Sequence, residues 1–167
     1  ESMEFNFKSN SRFFAEVAII ASLYVMLTIF LPLLSYNSIQ FRISEALMIL
    51  VFFRRSSIPG LILGCFIANL FSPFGLPDIV FGTLGTVLAV YGMYKLKNKP
   101  IHIALIPGVL ANTLLVGLEL QLFANINFLV GAAGVFMGET VVLYALGIPF
   151  FLALKNIGFA SDYENVL

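Results

Sequence analysis

The sequence predicts an all-α integral membrane protein of six transmembrane helices, forming one domain over residues 1–167. Three observations predict it: too few charges to clothe a soluble domain, apolar runs of bilayer length, and a lopsided placement of Lys and Arg around those runs. Sixty per cent of the residues are apolar and 11% are charged, whereas an ordinary soluble domain carries about 25% charged residues. A soluble chain of this length would lack polar residues to cover its surface. Lipid removes that demand, and membrane lipid is therefore the first expected partner.

A bilayer core takes roughly 20 apolar residues in a helix, within a range of about 17–25. The first span, 13–34, is interrupted only by Glu16 near its start and Pro32 near its end. Residues 39–71 are divided by Arg54-Arg55 into two shorter apolar runs, Ile43–Phe53 and Ile58–Phe71. We read them as two helices joined by a tight turn, spans 39–53 and 58–71. Ser57 is expected to cap the second, with Pro59 in its first turn. The last three spans are 77–96, 101–122 and 128–154. The first apolar run is long enough to belong to the protein body, so no cleavable signal peptide is expected.

Charge placement supports this count, because cytoplasmic loops collect Lys and Arg. With six spans and both termini cytoplasmic, Lys8, Arg12, Arg54, Arg55, Lys95, Lys97, Lys99 and Lys155 fall inside and only Arg42 outside. Merging the middle runs into one span, with the N-terminus outside, separates the charges less cleanly. Small residues recur four apart: Gly60, Gly64 and Ala68 on one face, Gly134 and Gly138 on another. That spacing lets membrane helices approach closely, within the chain or against another subunit.

Several function classes are excluded. No Gly-rich loop precedes a Lys-Ser/Thr pair, so there is no phosphate-cradling P-loop. The sole histidine, His102, lies beside the Lys95–Lys99 loop, and Cys65 is the sole cysteine. No zinc spacing, Ser-His-Asp triad, disulfide or cofactor motif follows. With zero net charge, nucleic acid is not an expected partner. The chain reads as a binder of a small solute rather than an enzyme.

Polar residues inside apolar spans are expensive and mark function by default. Under the six-span topology Arg42, Glu45, Asn69, Asp78, Asn112, Glu119, Gln121 and Glu139 gather in the outer half. Glu139 stands near the middle of a long apolar run, where a lone carboxylate costs several kcal/mol. It serves a ligand or hydrogen-bonds a neighbouring helix. Arg42 and Glu45 are three apart and share a helix face, where they line a site or pair with each other. Asp78 follows Pro77 at a helix start, where a carboxylate complements the helix dipole. Asn112 precedes Glu119 by seven residues, two turns along one face, and that face lines a pocket or bonds between helices. Tyr36 and Phe41 flank Arg42 as lid candidates for a planar ligand, a role that shares its signature with ordinary interfacial aromatics.

The run Gln40-Phe41-Arg42-Ile43-Ser44-Glu45-Ala46-Leu47 resembles the hallmark of the QueT family, substrate-binding (S) components of energy-coupling factor (ECF) vitamin transporters. Ile58-Pro59-Gly60-Leu61 through Gly64-Cys65 to Ala68-Asn69-Leu70 is similar to that family's third helix. Asp78-Ile79-Val80-Phe81-Gly82 resembles its fourth, Gly117-Leu118-Glu119-Leu120 its fifth and Gly138-Glu139 its sixth.

The resemblance implies an S-component-like bundle in a bacterial cell membrane, with an outward-facing site for a queuosine precursor, a deazaguanine base or queuine. It also implies a transmembrane coupling protein and two ATPase subunits as partners, to which the missing P-loop would delegate the energy supply. A guanine-like edge offers adjacent N–H donors to a carboxylate, and an aminomethyl arm would favour a second one. Glu139, Glu119, Asn112, Asn69, Arg42, Glu45, Phe41 and Tyr36 are the resulting substrate-site candidates. S components of this class present a small-residue patch on the first helix to the coupling protein. Ala18 and Ser22 match it here, with Ser22 departing from the usual alanine. An S component for another vitamin, or a stand-alone transporter, is the alternative.

Overall fold

The computed structural model describes residues 7–30, 41–159 and 161. Among them it contains six helices and no strand, the architecture of an all-α membrane protein. In chain order these are α1 (Phe7–Phe30), α2 (Ile43–Phe52), α3 (Ser57–Asn69), α4 (Leu76–Lys95), α5 (Ile101–Phe123) and α6 (Phe128–Asn156). Four of them, α1, α4, α5 and α6, are long and apolar enough to cross a bilayer.

α2 is the unusual element. Its ten residues wind as a 3-10 helix, which rises about 2.0 Å per residue against 1.5 Å in an α-helix. The tighter coil therefore stretches a short segment to about 20 Å. Eight of the ten residues are buried, because α2 touches α1, α3, α4 and α6. It is the central strut around which the others stand. With three residues per turn, Arg42, Glu45 and Met48 fall on one line along it.

Around that strut α1 packs along α3, α3 along α4, α4 along α5 and α5 along α6. The α1–α3 approach depends on the small residues of α3: a Cβ on Gly64 would stand 3.0 Å from the Ala21 carbonyl, and one on Gly60 3.0 Å from Cβ of Ile20. The Gly60–Gly64 face is thus used within the chain, as close packing without side chains in between requires. Gly134 and Gly138 are buried in α6. Only 22% of the apolar window of α1 is buried, which leaves Phe14, Ile19, Met26 and Phe30 turned outward. Such a face suits lipid, and an aqueous surface does not.

Proline and glycine account for the irregularities. Pro107 follows a break in α5 at Leu105. In α6, Pro149 has no N–H for the carbonyl four residues back, and the hydrogen-bond ladder widens into a π-helix over Val141–Gly147 just before it. α6 ends on Gly158, whose φ of 67° only glycine adopts without strain. Phe159 N–H then bonds the Leu154 carbonyl at 3.0 Å and Gly158 N–H the Lys155 carbonyl at 3.1 Å, a Schellman stop. The stop lays Phe159 on Phe53 and beneath Arg54.

The turn between α2 and α3 differs from its sequence expectation. Ser57 is the first residue of α3, not its cap, and its hydroxyl donates back to the Arg54 carbonyl. Ser56 precedes it and donates instead to Glu16 Oε2 at 2.7 Å. Arg54 and Arg12 both donate to Glu16 Oε1, Arg12 at 3.1 Å. Glu16, a carboxylate within an apolar run, is thereby the tie between α1 and the Arg54-Arg55 turn. His102 is exposed on the short first turn of α5, and its carbonyl accepts the Tyr144 hydroxyl at 2.6 Å.

Candidate functional site

Every helix contributes a polar side chain to one buried cluster. Helical periodicity explains how: Tyr24 and Thr28 are four apart on α1, Cys65 and Asn69 four apart on α3, and Asp78 and Thr86 eight apart on α4. Each pair therefore points from one face. Tyr24 is fully buried, and none of Thr28, Ser44, Glu45, Asn69, Asp78, Thr86, Asn112, Glu119 or Glu139 is more than 5% exposed.

The cluster is joined by hydrogen bonds from end to end. The Tyr24 hydroxyl donates to Glu45 Oε1, and Arg42 Nη1 lies 3.9 Å from the same oxygen. Thr28 and Ser44 share a hydroxyl–hydroxyl bond of 2.7 Å beside them. Arg42 also faces Cys65 Sγ at 4.0 Å. The Cys65 sulfur accepts from Thr86 Oγ1 at 3.1 Å and from Asn69 Nδ2 at 3.4 Å. Asn69 Nδ2 donates further to the Asp78 carbonyl at 2.9 Å. Asn112 Nδ2 donates to Glu139 Oε1 at 3.1 Å, and the Asn112 side chain also reaches Glu45. Glu119 stands within hydrogen-bonding reach of the Asp78 carboxyl, which takes the Ser72 hydroxyl as well.

Two glycines on α4 make room for the amides. A Cβ on Gly82 would stand 2.7 Å from Asn69 Nδ2, and one on Gly85 2.5 Å from Asn112 Oδ1. Both amides thus lie directly against the α4 backbone. Asn127, outside the cluster, caps α6 by accepting the Leu129 N–H at 2.9 Å, and so fixes the start of the helix that carries Glu139.

Two features set the chemistry. Among the described residues Arg42 is the cation in electrostatic reach of Glu45, Asp78, Glu119 and Glu139 together. Four carboxyl groups share one guanidinium. Further, Glu45 Oε2, Asn69 Oδ1, Glu119 Oε2 and Glu139 Oε2 are buried without a hydrogen-bond partner. An unsatisfied buried acceptor costs about 1–3 kcal/mol, and four together call for an explanation. Donors brought by a ligand supply one. No group of three metal-ligating side chains occurs among the described residues.

The structure brings together Arg42, Glu45, Asn69, Asn112, Glu119 and Glu139. Phe41 is half-buried immediately before Arg42, and Tyr36 lies outside the described residues. Ala18 and Ser22 are exposed on α1, where Ser22 Oγ bonds the Ala18 carbonyl at 2.7 Å. With Met26 and Leu63 they line an apolar hollow of about 410 Å³. The sequence reading left out Tyr24, Cys65 and Thr86 and, though it counted Asp78 among the outer polar residues, gave it a helix-start role and no place among the substrate-site candidates. The four-residue steps Tyr24–Thr28 and Cys65–Asn69, polar inside apolar runs, were the signal that would have found most of them.

A family model described as QueT transporter matches residues 14–156. A curated relative, "Queuosine precursor transporter QueT" of Lactococcus lactis subsp. cremoris (strain MG1363), is 40% identical over 83 residues, 48% of this chain and 48% of that protein. The chain thus spans about half the length of the relative it matches. No solved structure matches the chain.

Proposed function

Because the chain belongs to the QueT transporter family, we propose that it is the membrane-embedded substrate-binding component of an ECF-type transporter, taking up a queuosine precursor. The observation that carries this reading is the coincidence of the family match over residues 14–156 with the buried acceptor-rich cluster within those residues. The name of the relative, a queuosine precursor transporter, supports the substrate. A deazaguanine base presents adjacent N–H donors on its guanine-like edge. Glu139, held by Asn112 and left with one open oxygen, accepts them. Asn69 and Asn112 read the remaining ring positions, while Phe41 and Tyr36 cover the ring.

Uptake against a gradient needs an energy source, and the sequence carries no P-loop with which to hydrolyse ATP. We assign it to a transmembrane coupling protein with two ATPase subunits. The exposed Ala18–Ser22 face and its hollow support that docking place, because small side chains admit a partner helix closely. In this reading both termini and the Arg54-Arg55 turn are cytoplasmic, and the binding cluster opens outward.

The test is a thermal-shift screen of the purified chain in detergent with deazaguanine bases, queuine and common vitamins. A ligand that binds only the folded state adds about 2.7 kcal/mol of apparent stability at a hundredfold excess over Kd. A shift with deazaguanine bases alone supports the substrate. A shift with another vitamin, and none with the bases, replaces it.

A further inference from the structure

We propose that the groove between α1 and the end of α6 holds an anionic phospholipid, with an acyl chain along the groove and the phosphate at its basic rim. Both helices pack on α2 and leave between them a hollow of about 410 Å³. Ile19 and Leu23 of α1, Leu47 and Leu50 of α2, and Phe150 and Leu154 of α6 make its walls hydrocarbon. No residue of the buried polar cluster lines it. One end alone is polar, where Glu16 accepts from Arg54 and Phe159 closes the α6 side. The groove is thus amphiphilic along its length and separate from the solute cluster.

The polar end is basic. Arg12 joins Arg54 on the Glu16 carboxylate. Arg55 is the exposed next residue of the turn, and Lys155 is exposed beside Leu154 in the last turn of α6. Among the described residues Glu16 is the one carboxylate outside the buried cluster, so these four cations share it. Guanidinium groups bind phosphate through parallel N–H bonds, and basic pockets between membrane helices take acidic headgroups. The width of the groove argues against a protein helix as its occupant. From Glu16 to Leu23 it runs about 10 Å, seven residues at 1.5 Å each. Over that length its volume averages about 40 Å² in cross-section, against about 80 Å² for a helix with its side chains. Ile19, Leu23 and Phe150 at its lips are bulky, whereas close helix approach calls for small residues, which lie instead at Ala18 and Ser22. An acyl chain needs neither the width nor the small lips.

The chain has no tryptophan, so a single introduced one reports its own surroundings. Leu23→Trp places it in the groove, and Leu84→Trp places it on the outward face of α4, away from the groove. Each full chain is reconstituted in vesicles of phosphatidylglycerol and phosphatidylcholine with matched acyl chains. One lipid or the other is brominated along the chain, and quenching gives their relative affinity at each position. In the groove phosphatidylglycerol should be preferred about fivefold or more, and on α4 the two should agree within about twofold. Arg12→Gln combined with Arg55→Gln should bring the groove preference to within about twofold of unity, since the Arg54–Glu16 bond remains but two charges are gone. Phe150→Trp serves as the groove reporter if Leu23→Trp does not fold. Excess glycerol phosphate, the head without the tail, should leave the preference standing. Its abolition would reveal a site for a free anion and overturn the lipid. Equal lipid preference at the two positions, or a groove preference untouched by loss of the two arginines, overturns it as well. A groove reporter that neither lipid quenches shows that a protein segment fills the groove, and the proposal then fails.

Discussion

Asn112 donates its side-chain amide to Glu139 across the α5–α6 interface at 3.1 Å, and its Oδ1 lies 2.5 Å from where a Cβ on Gly85 would be. One missing side chain on α4 therefore decides the orientation of an amide on α5 and, through it, of a carboxyl on α6. Gly85→Ala forces the flexible Asn112 amide to move. Loss of a hydrogen bond of about 1–3 kcal/mol is offset by about 1 kcal/mol of better helix propensity. Thermal stability should fall by no more than about 2 kcal/mol, and affinity for a deazaguanine base should fall about tenfold. In an Asn112→Ala background the same substitution should add almost nothing, a double-mutant cycle measured by the two affinities.

Tyr24 ties α1 to α2 through its hydroxyl on Glu45. Tyr24→Phe keeps the ring and removes the hydroxyl donor from a buried carboxyl oxygen that Arg42 approaches only to 3.9 Å. Thermal unfolding in detergent should show a loss of about 1–3 kcal/mol. An unchanged midpoint would mean that this bond adds nothing to stability.

Ala18 projects from the least buried helix, whereas Ala21, three residues on, packs against Gly64. Ala18→Trp should abolish copurification of an ATPase module and uptake, with base binding by the isolated chain retained. Ala21→Trp, by contrast, should disrupt folding, because a Cβ on Gly64 already lies 3.0 Å from the Ala21 carbonyl. Loss of binding together with assembly in Ala18→Trp would place that face inside the protein.

Topology is read by cysteine accessibility. Cys65 is fully buried, so a Cys65→Ala background removes a silent thiol but also the acceptor of Thr86 and Asn69. Arg55→Cys and Asn98→Cys in that background should resist an impermeant thiol reagent in intact cells and react after lysis. Labelling of Arg55→Cys from outside removes the cytoplasmic assignment of the turn.

The role of Glu119 shows where sequence reading stops. Sequence spacing sets it on one face with Asn112, and both are buried, yet Asn112 engages Glu139 and Glu119 engages Asp78. A shared helix face says nothing about which neighbour each turn meets. Asp78 reads as a helix-start carboxylate because a helix dipole is local, and its partner Glu119 is remote in sequence. Tyr24 and Cys65 look like ordinary span residues until α1 and α3 close on α2.

The sequence by itself determined that the chain is helical, membrane-embedded and supplied with costly polar residues. Span length, hydropathy and the penalty on an intramembrane charge are properties of single segments. Only the tertiary structure decided that Ile43–Phe52 winds as a 3-10 strut and that Glu16 ties α1 to the Arg54-Arg55 turn. It alone decided that four carboxyl groups converge on Arg42. Those outcomes depend on the rotation and separation of whole helices, which close packing at Gly64, Gly82 and Gly85 constrains.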